Sequence, residues 1–279
     1  AAAPYAALVM DARDGTVLHA RDADRRLHPA SLTKMMTLYL AIEAVKAGRL
    51  SLDETVTVSR RAARQPPSKI GLRVGQKVTI RHLIRASAIK SANDAAVVLA
   101  EATAGSVEAW SRLANRRARD FGMFNTTLLN PHGLTQRGHL STARDMAMLG
   151  RRLYFDHPEY YHLFSKREVT AMGRRIRQTN WRLLNSYSGS DGIKTGYTRA
   201  AGFNLVASAR RGEEHVIVAM YGGRSSRQRT AKVSELLDIG FRKAPTRVAV
   251  VPPGSVAVAA APAPARRPGA PESLLDRAA

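Results

Sequence analysis

Two hydrophobic periodicities divide the chain. From Ser31 to Ala47, apolar residues recur at helical spacing: Leu32, Met35, Met36, Leu38, Tyr39, Ala41, Ile42 and Val45 make one wide face, and Gly48 ends it. Ser31 stands where an N-cap is expected. The helical pattern returns in IRHLIRASAIK, NDAAVVLAEATAG, VEAWSRLANRRARDFG, after Ser141 or Thr142, and in SSRQRTAKVSELLDIGFRK. Strand patterns lie toward the two ends. YAALVMDARDGTVLHA reads as two strands around an Asp14-Gly15 turn, and IKTGY, GFNLVASAR and HVIVAMY read as three more, with Gly212 in the last turn. Residues 49–80 read as short strands and loops, 166–178 as a hairpin, and Asn130-Pro131-His132-Gly133 as a turn. Strand pair, helices, strands and a closing helix predict an α+β fold. Its terminal strands complete one antiparallel sheet, flanked by helices with a helical subdomain. Beyond Pro245 the sequence turns to Pro and Ala. Residues 1–245 are therefore expected to form one domain and 246–279 a linker or disordered tail.

Composition narrows the chemistry. The chain has 279 residues and no cysteine, which excludes disulfides, thiolate zinc sites and a cysteine nucleophile. Its eight histidines form no HExxH or other tight ligand spacing, so no metal and no cofactor is expected. No uninterrupted apolar run reaches membrane-spanning length, and the opening AAAPYAALVMD reads as a mature or trimmed start. The formal net charge is +22, carried mostly by arginine. Such a charge suits an ordinary basic surface, or attraction to an anionic membrane, envelope polymer or nucleic acid. With 6% aromatics and no helix-turn-helix, zinc-finger or RRM signature, nucleic acid is disfavoured.

One local rule is broken at the head of the first long helix. A capping box would place Glu or Gln at position 34, yet Lys34 stands there, a cation in a first helical turn among residues that look buried. Ser31-Leu32-Thr33-Lys34 is an S-x-x-K. Residues i and i+3 share a helix face, so a neutral Lys34 could activate the Ser31 hydroxyl. Ser91-Ala92-Asn93 is an S-x-N between two helical patterns, where Ser91 could pass a proton and Asn93 hold a substrate amide. Lys194-Thr195-Gly196 lies on a predicted strand near a sheet edge, where a peptide could add as a further strand. There Lys194 would supply positive potential, Thr195 would bind a carboxylate, and Gly196 would allow close backbone approach. Each motif alone has an ordinary explanation: a capping serine before a solvent-facing lysine, a helix start, or a turn with a surface lysine. Together and in this order, separated by 60 residues (31 to 91) and 103 residues (91 to 194), they form a set known from serine acyl-transfer enzymes.

With PASLTKMMT, SANDAAVVLAE, NPHGL, HLSTARDMA, DGIKTGYT and AGFNLVASA, the chain resembles the serine D-Ala-D-Ala carboxypeptidases, the low-molecular-mass penicillin-binding proteins, from about residue 5 to residue 243. The resemblance implies a β-lactamase/transpeptidase-like fold with the site in a groove between sheet and helices. It implies Ser31 as nucleophile, Lys34 as base and Ser91 as proton relay. Asn93, Lys194, Thr195 and Gly196 would bind substrate, and the backbone N–H groups of Ser31 and Tyr197 would form the oxyanion hole. Arg229, with Arg227 and Arg224 as alternatives, would hold the terminal carboxylate. The implied substrate is a peptidoglycan stem peptide ending in D-Ala-D-Ala, and β-lactams would trap Ser31. The implied location is periplasmic or otherwise extracytoplasmic, with possible peripheral contact to anionic membrane or envelope polymers. Three rivals remain: a D,D-endopeptidase on cross-links, a β-lactamase, and a non-catalytic basic envelope-binding protein. The glutamates between the second and third motifs (Glu101, Glu108, Glu159, Glu168) lack the E-x-x-L-N pattern of a β-lactamase. The second, strand-rich domain and terminal amphipathic helix of many relatives are not evident in the Pro/Ala tail.

Overall fold

The computed structural model describes residues 3–254. The amino-terminal hairpin is β1 (Ala6–Asp11) and β2 (Val17–Arg21), turning at Asp14-Gly15 as the sequence predicts. A single 3-10 turn, Ala30–Thr33, then leads into α1 (Lys34–Lys46). The helical region follows as β3 (Thr55–Thr57), α2 (Arg60–Ala63), β4 (Lys77–Thr79), α3 (Ile80–Arg85), a π-turn (Ala86–Lys90), α4 (Asn93–Ala104) and α5 (Val107–Asp120). It continues through α6 (Ala143–Asp156), α7 (Pro158–Tyr161), the hairpin β5 (Glu168–Ala171) with β6 (Arg174–Arg177), and α8 (Trp181–Ser186). The chain returns to the sheet with β7 (Ser190–Thr198), β8 (Gly202–Arg211) and β9 (Glu214–Gly223), then packs α9 (Ser226–Lys243) against it.

The main sheet has the order β2-β1-β9-β8-β7, with every pair antiparallel. The α+β expectation holds, and β7, which carries Lys194-Thr195-Gly196, is an edge strand. Because successive strand residues face opposite sides, the sheet buries two layers. Leu8, Val206, Ile217 and Ala219 face the helical region with α1, α4 and α6, while Val9, Leu205, Val218 and Met220 pack with α9. α1 is apolar nearly all round, as a central helix must be. Caps match local chemistry: Thr142 rather than Ser141 accepts the N–H of Asp145, and Ser225 accepts that of Gln228.

Two sequence expectations change. Ser31 does not cap α1. It lies inside the 3-10 turn, with no side-chain cap bond at that helix start. Past the expected boundary at 245, the chain stays on the body. Arg13 donates to the carbonyls of Pro245 and Thr246, Arg151 to that of Val251, and Arg152 to that of Pro253. The remainder of the expected tail, from 255, lies outside the described residues.

Candidate active site

The 3-10 turn sets the Ser31–Lys34 geometry. In a 3-10 helix residues i and i+3 eclipse, which aligns these side chains more closely than an α-helix would. Lys34 Nζ lies 2.8 Å from Ser31 Oγ, 2.8 Å from Asn93 Oδ1 and 2.8 Å from the His132 carbonyl. Asn93 cannot offer the other end of its amide, because its Nδ2 donates to Pro66 O at 2.9 Å. Two of the three partners of Lys34 are therefore pure acceptors. A neutral amine satisfies them with its two N–H groups and points its lone pair at the Ser31 hydroxyl. Lys34 is fully buried, and this burial pushes its pKa well below the ordinary lysine value. Lys194 pushes the same way, and Asp94 opposes. The NPHG turn thus enters the site through a backbone oxygen, a role no side-chain pattern announces.

The serine is presented on unusual backbone. Ala30, just before it, has φ +50°, and Ser91 has φ +60°. Gly133 packs directly on this turn: a Cβ there would fall 1.7 Å from Ala30 O. Gly196 closes it from the sheet side, since a Cβ would lie 3.0 Å from Pro29 O and 3.1 Å from Ser31 N. The glycine of the third motif is therefore required by the serine turn itself, a reason additional to substrate approach.

On β7, Lys194 Nζ donates to Ser91 Oγ at 2.8 Å and to Thr195 O at 3.0 Å. Burial brings its pKa down to about 7, with Arg229 adding to the effect. Thr195 Oγ1 donates to Thr179 Oγ1 at 2.7 Å. Arg229, near the start of α9, is 4% exposed, and among the described residues its Nε has no hydrogen-bond partner and its guanidinium no carboxylate. Burial lowers its pKa to about 10. Arg224 and Arg227 point to solvent, so of the three candidate arginines Arg229 faces the groove. Tyr197 is 55% exposed at the rim, its ring tilted against Phe203 with centroids 4.3 Å apart. A groove of about 460 Å³ brings together Ser31, Ser91, Asn93, Thr195, Gly196, Tyr197 and Arg229; no carboxylate side chain lines it. Lys34 and Lys194 lie beneath it.

Two supporting residues were not singled out for this role in the sequence. Asp94 looks like a favourable acid in a first helical turn. It stands in the first turn of α4 and, buried there, also accepts the N–H groups of Ile70, Gly71 and Leu72, pinning the loop whose Pro66 carbonyl orients Asn93. His139 accepts the N–H of Leu129 through Nδ1, so its Nε2 carries the proton toward Thr33 Oγ1 at 2.8 Å. Burial holds its pKa near 4, which keeps it neutral.

The family model for D-alanyl-D-alanine carboxypeptidase (peptidase S11) matches residues 1–225. The chain belongs to this family. It is 40% identical over 241 residues to the D-alanyl-D-alanine carboxypeptidase DacC of Escherichia coli, covering 84% of this chain and 60% of that protein. To DacF of Bacillus subtilis it is 36% identical over 239 residues, 84% of this chain and 61% of that one. The chain thus spans about three fifths of the length of these curated relatives. Among solved structures, penicillin-binding protein D2 of Listeria monocytogenes in its ampicillin-bound form superposes with a TM-score of 0.78 at 32% identity, covering 85% of this chain and 96% of that one. The fold and family expected from the three motifs are those found.

Proposed function

We propose that this chain is a serine D,D-carboxypeptidase, removing the terminal D-Ala of peptidoglycan stem peptides through an acyl-enzyme on Ser31. The observation that carries this reading is the buried Lys34 amine, held between two pure acceptors with its third direction on Ser31 Oγ. Lys34 takes the hydroxyl proton as Oγ attacks the carbonyl of the penultimate D-Ala. The N–H groups of Ser31 and Tyr197 receive the developing oxyanion. The substrate lies along β7 as an added strand, with one Asn93 Nδ2 hydrogen available to its amide. Its terminal carboxylate meets the unpartnered Arg229, Thr195 and the charge of Lys194. Ser91 hands the proton to the departing D-Ala amine, and water then hydrolyses the ester.

A β-lactam resembles the D-Ala-D-Ala end and would acylate the same serine. Rapid release of that drug needs a carboxylate to activate water. Glu101 instead accepts from Ser59, and Glu108, Glu159 and Glu168 pair with Arg61, Lys46 and Arg175. This favours a long-lived drug adduct over β-lactamase turnover. Intact catalytic machinery likewise disfavours a purely binding role. The substrate would place the enzyme outside the cytoplasm, where its net charge of +22 would favour contact with anionic membrane or envelope polymers. The test is D-Ala release from an N-acylated peptide ending in D-Ala-D-Ala. Release by the wild type and none by Ser31→Ala is expected. Equal release by both would overturn the assignment.

A further inference from the structure

Asn204, on β8, is fully buried. Its Nδ2 donates to the carbonyls of His28 at 3.1 Å and Pro29 at 3.3 Å, and its Oδ1 accepts the N–H of Gly222 on β9 at 3.0 Å. The partners fix which end of the amide is which, since a carbonyl only accepts and a backbone N–H only donates. Both hydrogens and the oxygen are therefore engaged. Such an amide offers nothing to a substrate, so its use lies in what it holds.

What it holds is the chain leading into the nucleophile. The Pro29 carbonyl also accepts the N–H of Leu32 at 3.2 Å, a bond that spans Ser31 in the 3-10 turn. The next residue, Ala30, has φ +50°, a conformation that persists only where its surroundings hold it. Asn204 supplies that hold from the sheet, and the sheet is adapted for it. Phe203 pairs with Gly223 and Leu205 with Met220, so two residues of β9, Tyr221 and Gly222, stand opposite Asn204 alone. A bulge of this kind re-aims a side chain. Toward β7 the pairing is regular: Asn204 faces Gly196 and Phe203 faces Tyr197. Cross-strand neighbours share a face. The amide and the bare glycine thus lie side by side beneath the turn, where a Cβ on Gly196 would meet Pro29 O and Ser31 N. Through one side chain and one ladder, Asn204 joins the backbone of Ser31 to that of Tyr197.

We propose that Asn204 is the positioning residue of the oxyanion hole, setting the gap between the Ser31 and Tyr197 N–H groups. This rests on the acyl-serine reading above. Donors of this kind act only when aimed at the place the oxyanion will occupy. The two halves of the hole sit on different elements, one on the serine turn and one on β7. Ser31 and Lys34 ride together on the turn, and Lys34 is held separately by Asn93 and His132. Loss of the Asn204 clamp therefore leaves nucleophile and base together and opens the hole.

The test compares two substrates, an N-acyl-D-alanyl ester of D-lactate and its thiono analogue, in which sulfur replaces the oxygen of the attacked carbonyl. Sulfur is larger and a weaker acceptor, so a well-set hole favours the oxygen ester. Asn204→Leu is close in size, uncharged and lacks both donors. It should lower kcat/KM for the oxygen ester about 10²-fold, the scale of losing one hole donor, and lower that for the thiono ester much less, so that their ratio falls about tenfold. Both rates are read on one sample, so any unfolded fraction cancels in the ratio. Asn204→Ser, too short to reach both carbonyls, should shift the ratio the same way and replaces the leucine variant if that one does not fold. A ratio unchanged in the variant, or a wild type that treats the two esters alike, would overturn the positioning role. A wild type that cleaves neither ester and is not acylated on Ser31 by benzylpenicillin would instead overturn the acyl-serine reading, and the positioning role with it.

Discussion

The serine turn and the β7 edge each bury a lysine, and the two lysines are held differently. Lys34 touches a hydroxyl and two pure acceptors. Lys194 touches a hydroxyl and one carbonyl. Both are pushed down chiefly by burial: Lys34 well below its ordinary value, Lys194 to about 7. Burial alone therefore does not make a base. What separates them is the acceptor set. At Lys34 it fixes both N–H groups of the neutral amine and leaves the lone pair no target but Ser31. Lys194 lies within reach of the charge of Arg229, and in the proposed reaction its remaining charge would serve a substrate carboxylate.

Removing each lysine in turn breaks this comparison most sharply. Lys34→Met should lower the rate of Ser31 acylation by on the order of 10³-fold, the range expected for loss of a positioned base. Stopped-flow or quenched acylation with a chromogenic β-lactam measures it, and a loss below tenfold would place the base elsewhere. Methionine fills nearly the same volume, so no large void opens, and the cost of leaving Asn93 Oδ1 and the His132 carbonyl without this donor, about 1–3 kcal/mol each, is read as a fall in Tm measured alongside. Lys194→Gln should cost less, about 10²-fold in kcat/KM. It should also change the pH profile, since wild-type kcat/KM should fall above about pH 7 as Lys194 loses its charge. The sign follows from its role: the folded pKa is depressed, and the charged form is the useful one. The glutamine variant should lack that alkaline fall; if it keeps it, another group titrates.

Gly196→Ala sharpens the comparison with a smaller effect, because it pushes the β7 edge against the serine turn without touching either lysine. Its Cβ meets backbone at 3.0 Å (Pro29 O) and 3.1 Å (Ser31 N). A cost of about 1–3 kcal/mol is expected, with a fall in Tm of several degrees. Thermal unfolding followed by circular dichroism measures it. An unchanged Tm would mean the turn yields easily.

Much of this was legible in the sequence because it lies in spacing. The i to i+3 step joined Ser31 to Lys34, alternating strands placed Lys194 on an edge, and turn residues marked the 166–178 hairpin. Other features depend on the chain meeting itself. The 3-10 turn under Ser31 exists because Gly133 and Gly196 leave room for Pro29, Ala30 and Ser31, 102 residues (31 to 133) and 165 residues (31 to 196) from the serine. The His132 carbonyl has no signature, since every residue carries one. Asp94 was legible only as a first-turn acid, because its further partners, the backbone N–H groups of Ile70, Gly71 and Leu72, are equally anonymous. α8 was not read from the pattern at all: its six residues are too few for a helical period to show.

The most direct test is intact mass after mixing with benzylpenicillin, followed over hours beside Ser31→Ala and Lys34→Met, with the modified peptide mapped. The account predicts a lasting adduct of one drug molecule on Ser31, slow to form with Lys34→Met and absent from Ser31→Ala. A rapidly lost adduct with steady drug consumption, or an adduct that persists in Ser31→Ala, would contradict it.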